Sequence, residues 1–161
     1  MVTETNEVST ARDRLQGYKE ALTAAHIQFR PELIVEASAI DVGAAHDATL
    51  KLLDLLDPPT AIFSVNNIAV VGVAEAARER DLEIPRDLAL VCFDDIEHAS
   101  RFLPFLTVMA QPAETFGTIA TQLLLDRLAG QVSERRRTVV LPADFIVRES
   151  CGAQVPVDDA A

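Results

Sequence analysis

The sequence holds only two cysteines, Cys92 and Cys151. That excludes a disulfide framework and the paired spacings of a zinc site. Cys92 lies inside an apolar run and reads as a small buried core residue; cysteine used this way fits a reducing cytoplasm. No apolar run approaches the about 18 residues that a membrane-spanning helix needs. The first ten residues, MVTETNEVST, lack the basic and apolar regions of a signal peptide. Basic residues are scarce as well: 14 Lys and Arg stand against 25 Asp and Glu, for a net charge of −11. A surface this acidic is repelled by phosphate backbones and anionic membranes. The one basic run, Arg135 to Arg137, reads as a solvated turn. There is no internal repeat, no P-loop, no G-x-G-x-x-G and no G-x-S-x-G.

What remains is ordinary globular composition, 49% hydrophobic and 24% charged over 161 residues, enough for one domain with a core. Elements alternate along it. Residues 9–27 carry Leu15, Tyr18, Leu22 and Ala25 on one helical face, with Ser9 or Thr10 as N-cap. Residues 32–37 read as a short strand. A helix follows, with Asp41 as N-cap, Ala45, Leu52, Leu53 and Leu56 facing a core, and Pro58 and Pro59 ending it. Residues 60–65 form a buried strand, residues 66–81 a helix, and residues 88–93 a second buried strand. Then come a strand at 106–111, a helix at 113–130, and two closing strands in RTVVLP and DFIVRES. Short apolar strands alternating with amphipathic helices predict an α/β fold: a mostly parallel sheet covered by helices on both faces. The N-terminus is a poor strand, so the chain reads as if it begins inside a domain.

Two strands end in polar pairs, Asn66-Asn67 and Asp94-Asp95. The carboxyl ends of strands form the ligand crevice of an open α/β sheet. Asn donates and accepts, and ionised Asp only accepts, a set suited to hydroxyl-rich or amide-bearing ligands. The competing explanation is helix capping, which Asn and Asp also favour; the two roles can divide between neighbours. Enzyme readings are weaker. Asp94 with His98 makes only D-x-x-x-H, with no second cluster of metal ligands. His26, His46 and His98 are scattered and read as surface residues. No metal, cofactor or enzymatic activity is expected.

The stretch from PTAIFSVNN through IPRDLALVCFDD, PFLTV and AQP to VVLPADFIVRES, preceded by ARDRLQGYKEAL, resembles the effector-binding domain of LacI-type (lactose repressor) transcription regulators. The likeness covers residues 12–150. It implies a periplasmic-binding-protein-like fold in which two α/β subdomains close on a small molecule, often a sugar, a nucleobase-like compound or a related polar metabolite, within a cytoplasmic homodimer or larger homo-oligomer. DNA is held by a helix-turn-helix that this chain does not contain; a solute-binding transport protein of the same fold is the alternative. Carried over by motif, Arg14, Asn66, Asp94 and Gln111 are implied to contact the effector, with Asp95 left to cap. The dimer contacts are implied at residues 68–76, including Val71, and at Arg101, Phe102, Leu103 and Phe105. Residues 1–150 would then form a partial effector-binding domain, mainly its C-terminal subdomain and lacking that subdomain's first strand. Residues 113–140 would belong to the other, largely missing subdomain, leaving the apolar face Phe116, Ile119, Leu123, Leu124 and Leu128 to be buried in some other way. Residues 151–161 would be a frayed tail. Three departures stand out: Cys92 replaces the glycine of G-F-D-D, Asn67 stands where Asp is common, and Ser38 falls where many members place a stacking aromatic.

Overall fold

The computed structural model describes residues 1–5, 7–38, 41–95, 105–130 and 137–153. Among the described residues, ten strands and α-helices follow one another: β1 (Val2–Thr3), α1 (Ser9–Ala24), β2 (Val35–Glu36), α2 (Val42–Leu53), β3 (Ala61–Ser64), α3 (Ala69–Glu79), β4 (Ala89–Phe93), β5 (Thr107–Ala110), α4 (Ala113–Leu128) and β6 (Asp144–Ile146). The six strands form one sheet in the order β2-β1-β3-β4-β5-β6. Neighbours from β2 to β5 are parallel, and β6 runs antiparallel along β5. The order reverses between β1 and β3, and that switch point is where a doubly wound sheet opens a crevice.

β1 corrects the expectation that the first strand is missing. Val2 and Thr3 sit inside the sheet, paired with Val35 and Glu36 on one side and with Ser64 on the other. Two residues are too few to show an alternating pattern, so composition hid the strand. A further correction concerns the start of α1. The residue before it is Val8, and no side chain caps it, so neither Ser9 nor Thr10 does so. Asp41 does cap α2, accepting the Ala44 N–H at 3.1 Å. α2 stops at Leu53, ahead of the two prolines, which leaves Leu56 fully exposed rather than in the core. RTVVLP forms no strand in its described residues, 137–142.

The core lies on one face of the sheet. Val2, Ile62, Leu90, Cys92 and Val108 meet Ala45, Leu52, Val70, Val73 and Ala77 of α2 and α3. Strand residues alternate between faces, and the residues between these, Phe63, Val91 and Phe93, are only half-buried. Coverage is therefore tight on the α2–α3 face and partial on the other. The two helices touch closely at Gly72, whose missing side chain lets the backbones of α2 and α3 approach.

The C-terminal residues are stapled to the sheet by polar contacts. Ser150, fully buried, donates its Oγ hydrogen to Leu90 O at 2.6 Å and accepts the Thr107 N–H at 2.7 Å. Its own N–H donates to Phe105 O at 2.8 Å. Thr107 Oγ1 donates to Arg148 O and accepts the Arg148 N–H, both at 2.9 Å. Glu149–Cys151 form a 3-10 turn closed by Gly152 in the left-handed region (φ 81°). By contrast, no residue of α4 is fully buried: Leu124, Leu125 and Leu128 are more than half exposed, while Ile119 and Leu123 share a small cavity with Val139 and Leu141.

Candidate functional site

The candidate site lies where β3, β4 and β5 end. Beyond β3, Ser64 Oγ donates to Asn66 O at 3.1 Å and turns the chain. Asn66 Oδ1 then accepts the N–H groups of Ile68 (3.1 Å) and Ala69 (2.7 Å). These are orphan donors at the entry of α3, so the capping role anticipated for a strand-end amide is filled by Asn66 itself.

Beyond β4, Asp94 adopts φ 73°, a left-handed conformation that Asp tolerates better than most residues. Its N–H donates to Met109 O at 2.9 Å and extends the β4–β5 ladder by one bond. Its Oδ1 accepts a hydrogen bond from Nε2 of Gln111, the residue that follows β5. α1 contributes Arg14. Its Nη1 donates to Val65 O at 2.8 Å, and its guanidinium carbon lies 3.8 Å from the centre of the Phe93 ring. Stacking over an aromatic face attracts the cation and fixes its plane. Val65 pairs with β1 through its N–H to Val2 O, so Arg14 is anchored at the β1–β3 switch point.

The four residues expected to contact the effector, Arg14, Asn66, Asp94 and Gln111, thus share the carboxyl edge of the sheet. The two acids are treated differently. Asp95 forms an ion pair with Arg148 Nη2 at 3.0 Å, and Arg148 Nη1 also donates to Leu106 O at 2.8 Å. The residues Asp95 was expected to cap lie outside the described residues. Two participants were not foreseen: Phe93 as the platform under Arg14, and Arg148 as the partner of Asp95. Arg148 does fall in the terminal V-R-x-S motif, which was its only signal.

Ser38, at the position where an aromatic was expected, is exposed. Cys92 is fully buried beneath the site, and burial pushes its thiol far above the ordinary range, so it takes part as a packing group. His98 lies outside the described residues, and with it the Asp94–His98 pair. Among the described residues, no group of three His, Cys, Asp or Glu is placed to hold a metal, and none of their helices is long and apolar enough to cross a membrane. His46, read as a surface residue, lies half-exposed between two carboxylates. Of the expected dimer residues, Val71 and Phe105 are half-buried. Arg101, Phe102 and Leu103 lie outside the described residues.

Residues 1–151 match the periplasmic binding protein-like domain family. The ribose operon repressor of Haemophilus influenzae is 37% identical over 93% of this chain and 45% of its own length. A LacI-family regulatory protein from Chloroflexus aggregans superposes with a TM-score of 0.83 at 32% identity, over 94% of this chain and 54% of that one. The chain belongs to the LacI type of this periplasmic-binding-protein-like family. The transcriptional regulator CelR, solved as its cellobiose complex, gives a TM-score of 0.84 at 30% identity over 92% of this chain and 45% of that one. This LacI-type chain therefore spans about half the length of these three relatives. The expected α/β class, with its mostly parallel sheet, is the fold observed.

Proposed function

We propose that this chain is the effector-sensing part of a LacI-type transcription regulator and that its crevice binds a polar, hydroxyl-bearing small molecule. The observation that carries this reading is the gathering of one guanidinium, one carboxylate and two amides at the carboxyl ends of three adjacent strands. Asp94 supplies an acceptor for ligand hydroxyls, and Arg14 supplies donors fixed in plane by Phe93. Gln111 steadies Asp94, while Asn66 shapes the rim as it holds α3. Since Asp95 is neutralised by Arg148, Arg14 faces a single carboxylate, a balance that suits a neutral ligand better than a strongly charged one. The cellobiose complex of CelR supports a sugar. DNA binding belongs to the whole protein, and within it residues 113–140 serve the second subdomain.

Calorimetric titration of the chain with a panel of pentoses, hexoses, disaccharides and nucleosides tests the reading. A panel member that binds should lose about 10- to 150-fold in affinity on Asp94→Ala, because a hydrogen bond to a charged group contributes about 1.5–3 kcal/mol. Unchanged affinity in that variant removes Asp94 from the site and the reading with it.

A further inference from the structure

His46 lies in α2 and faces α3. Both of its ring nitrogens meet carboxylates: Nδ1 is 3.1 Å from Asp47 Oδ1, and Nε2 is 2.9 Å from Glu79 Oε2 on α3. An ionised carboxylate only accepts, whereas a neutral imidazole offers one N–H and one lone pair. Neutral His46 can therefore satisfy one carboxylate while turning a lone pair toward the other; the imidazolium satisfies both. The second oxygen of Glu79 accepts from Arg80 Nη1 at 2.9 Å. Arg80 in turn grips Asp54, just past the end of α2, through Nε at 3.1 Å and Nη2 at 3.0 Å. The relay Asp47–His46–Glu79–Arg80–Asp54 ties the middle and the C-terminal end of α2 to the end of α3.

The charge balance favours the proton too. Glu75 and Arg78 of α3 face the same open cavity of about 490 Å³ as His46 and Glu79. The charged groups bonded to the imidazole or sharing its cavity are then three carboxylates, Asp47, Glu75 and Glu79, against one guanidinium, Arg78, while Arg80 and Asp54 pair with each other further along.

We propose that His46 is a pH-sensitive strut that locks α2 onto α3 when protonated and slackens when it loses its proton. The hydrogen bond to Asp47, followed by that to Glu79, raises its proton affinity above the 6.5 of an ordinary imidazole, and burial opposes this only in part. A group whose pKa is raised on folding stabilises the fold fully below its unfolded value and loses that contribution as pH rises through the folded one. The strut therefore acts fully below pH 6.5 and is lost as pH climbs through the higher, folded value. Asp47 and Glu79 are largely solvated, which keeps the effect small.

Two measurements on the intact chain decide it. The first is an NMR titration of the His46 ring in the wild type, Glu79→Gln and Asp47→Asn. The second is a set of paired thermal melts of the wild type and His46→Gln at about pH 6 and about pH 8.5. The ring should titrate above 6.5 in the wild type and move toward 6.5 in each carboxylate variant. The melting advantage of the wild type over His46→Gln should be about 1–3 °C larger at the lower pH. A wild-type ring titrating at or below 6.5 overturns the proposal. So does a melting difference that stays constant with pH.

Discussion

Replacing Gly72 by alanine separates two opposed effects. In an exposed helix interior, alanine is favoured over glycine by about 1 kcal/mol, because glycine loses more backbone entropy on folding. At Gly72 a Cβ atom would stand 2.3 Å from Val42 O, 2.7 Å from His46 N and 2.9 Å from Ala45 Cβ. Two of these are backbone atoms four residues apart, the two ends of one helical hydrogen bond of α2. They cannot rotate out of the way as a side chain could. Relief requires α2 and α3 to separate by roughly 1 Å along a contact that buries Ala45, Leu52, Val70 and Val73. Overpacking of this kind costs about 1–3 kcal/mol, and the rigid neighbours place Gly72 at the upper end. With the propensity gain subtracted, the net loss should be about 2 kcal/mol, or about 4–8 °C in melting temperature.

The measurement is urea unfolding followed by far-UV circular dichroism, where the midpoint should fall at unchanged slope. Gly117, in the middle of α4, is the control, because nothing lies within 4 Å of the position its Cβ would take. Gly117→Ala should gain up to about 1 kcal/mol from propensity alone. Opposite signs at the two glycines are the expected result. A Gly72→Ala protein as stable as the wild type would mean that α2 and α3 do not pack at this distance, and the reasoning would fail.

Two further outcomes are expected. Ser150→Ala strands the buried Thr107 N–H and Leu90 O at once and should cost about 2–4 kcal/mol in chemical denaturation; a loss near zero would show that the C-terminal residues do not seat on the sheet. In sedimentation at micromolar concentration the chain should self-associate through the start of α3, where Ile68 is exposed and Val71 half-buried, and Val71→Asp should shift it to monomer. A clean wild-type monomer would refute that surface.

Much of the architecture was legible because parallel strands buried near a sheet centre announce themselves as apolar runs. AIFS and ALVCF became β3 and β4, and the amphipathic helices between and around them fell where periodicity put them. The failures share a cause: each depended on a partner distant in sequence. β1 is a strand only because β2 and β3 flank it. RTVVLP has β-branched residues enough for a strand, yet no sheet partner among the described residues. The apolar face of α4 was expected to find cover, and Phe116, Leu124 and Leu128 instead remain exposed. Amphipathicity shows which face wants burial, not whether a surface arrives to bury it.

The site was legible in a different way. Its positions came from a motif, while its division of labour came from contacts that no local pattern encodes. Asp94 and Asp95 are chemically identical neighbours, and spacing alone left capping and ligand contact open to both; only the family motif assigned contact to Asp94 and capping to Asp95. The chain separates them by geometry. The left-handed turn at Asp94 aims one carboxylate along β5 to Gln111, and the next reaches Arg148, 53 residues further on. At the end of β3, meanwhile, Asn66 caps α3. Had Asp95 no cation beside it, two like charges would stand side by side at one strand end with nothing to offset their repulsion. Arg148 removes that conflict by spending its second amino group on Leu106 O, so the guanidinium is held by the sheet and not by Asp95 alone. A lysine, with a single point charge and no planar fork, could not grip both acceptors in the same geometry. The arginine of the terminal V-R-x-S motif thus has a structural reason to be an arginine, and that reason bears on how many charges the crevice presents.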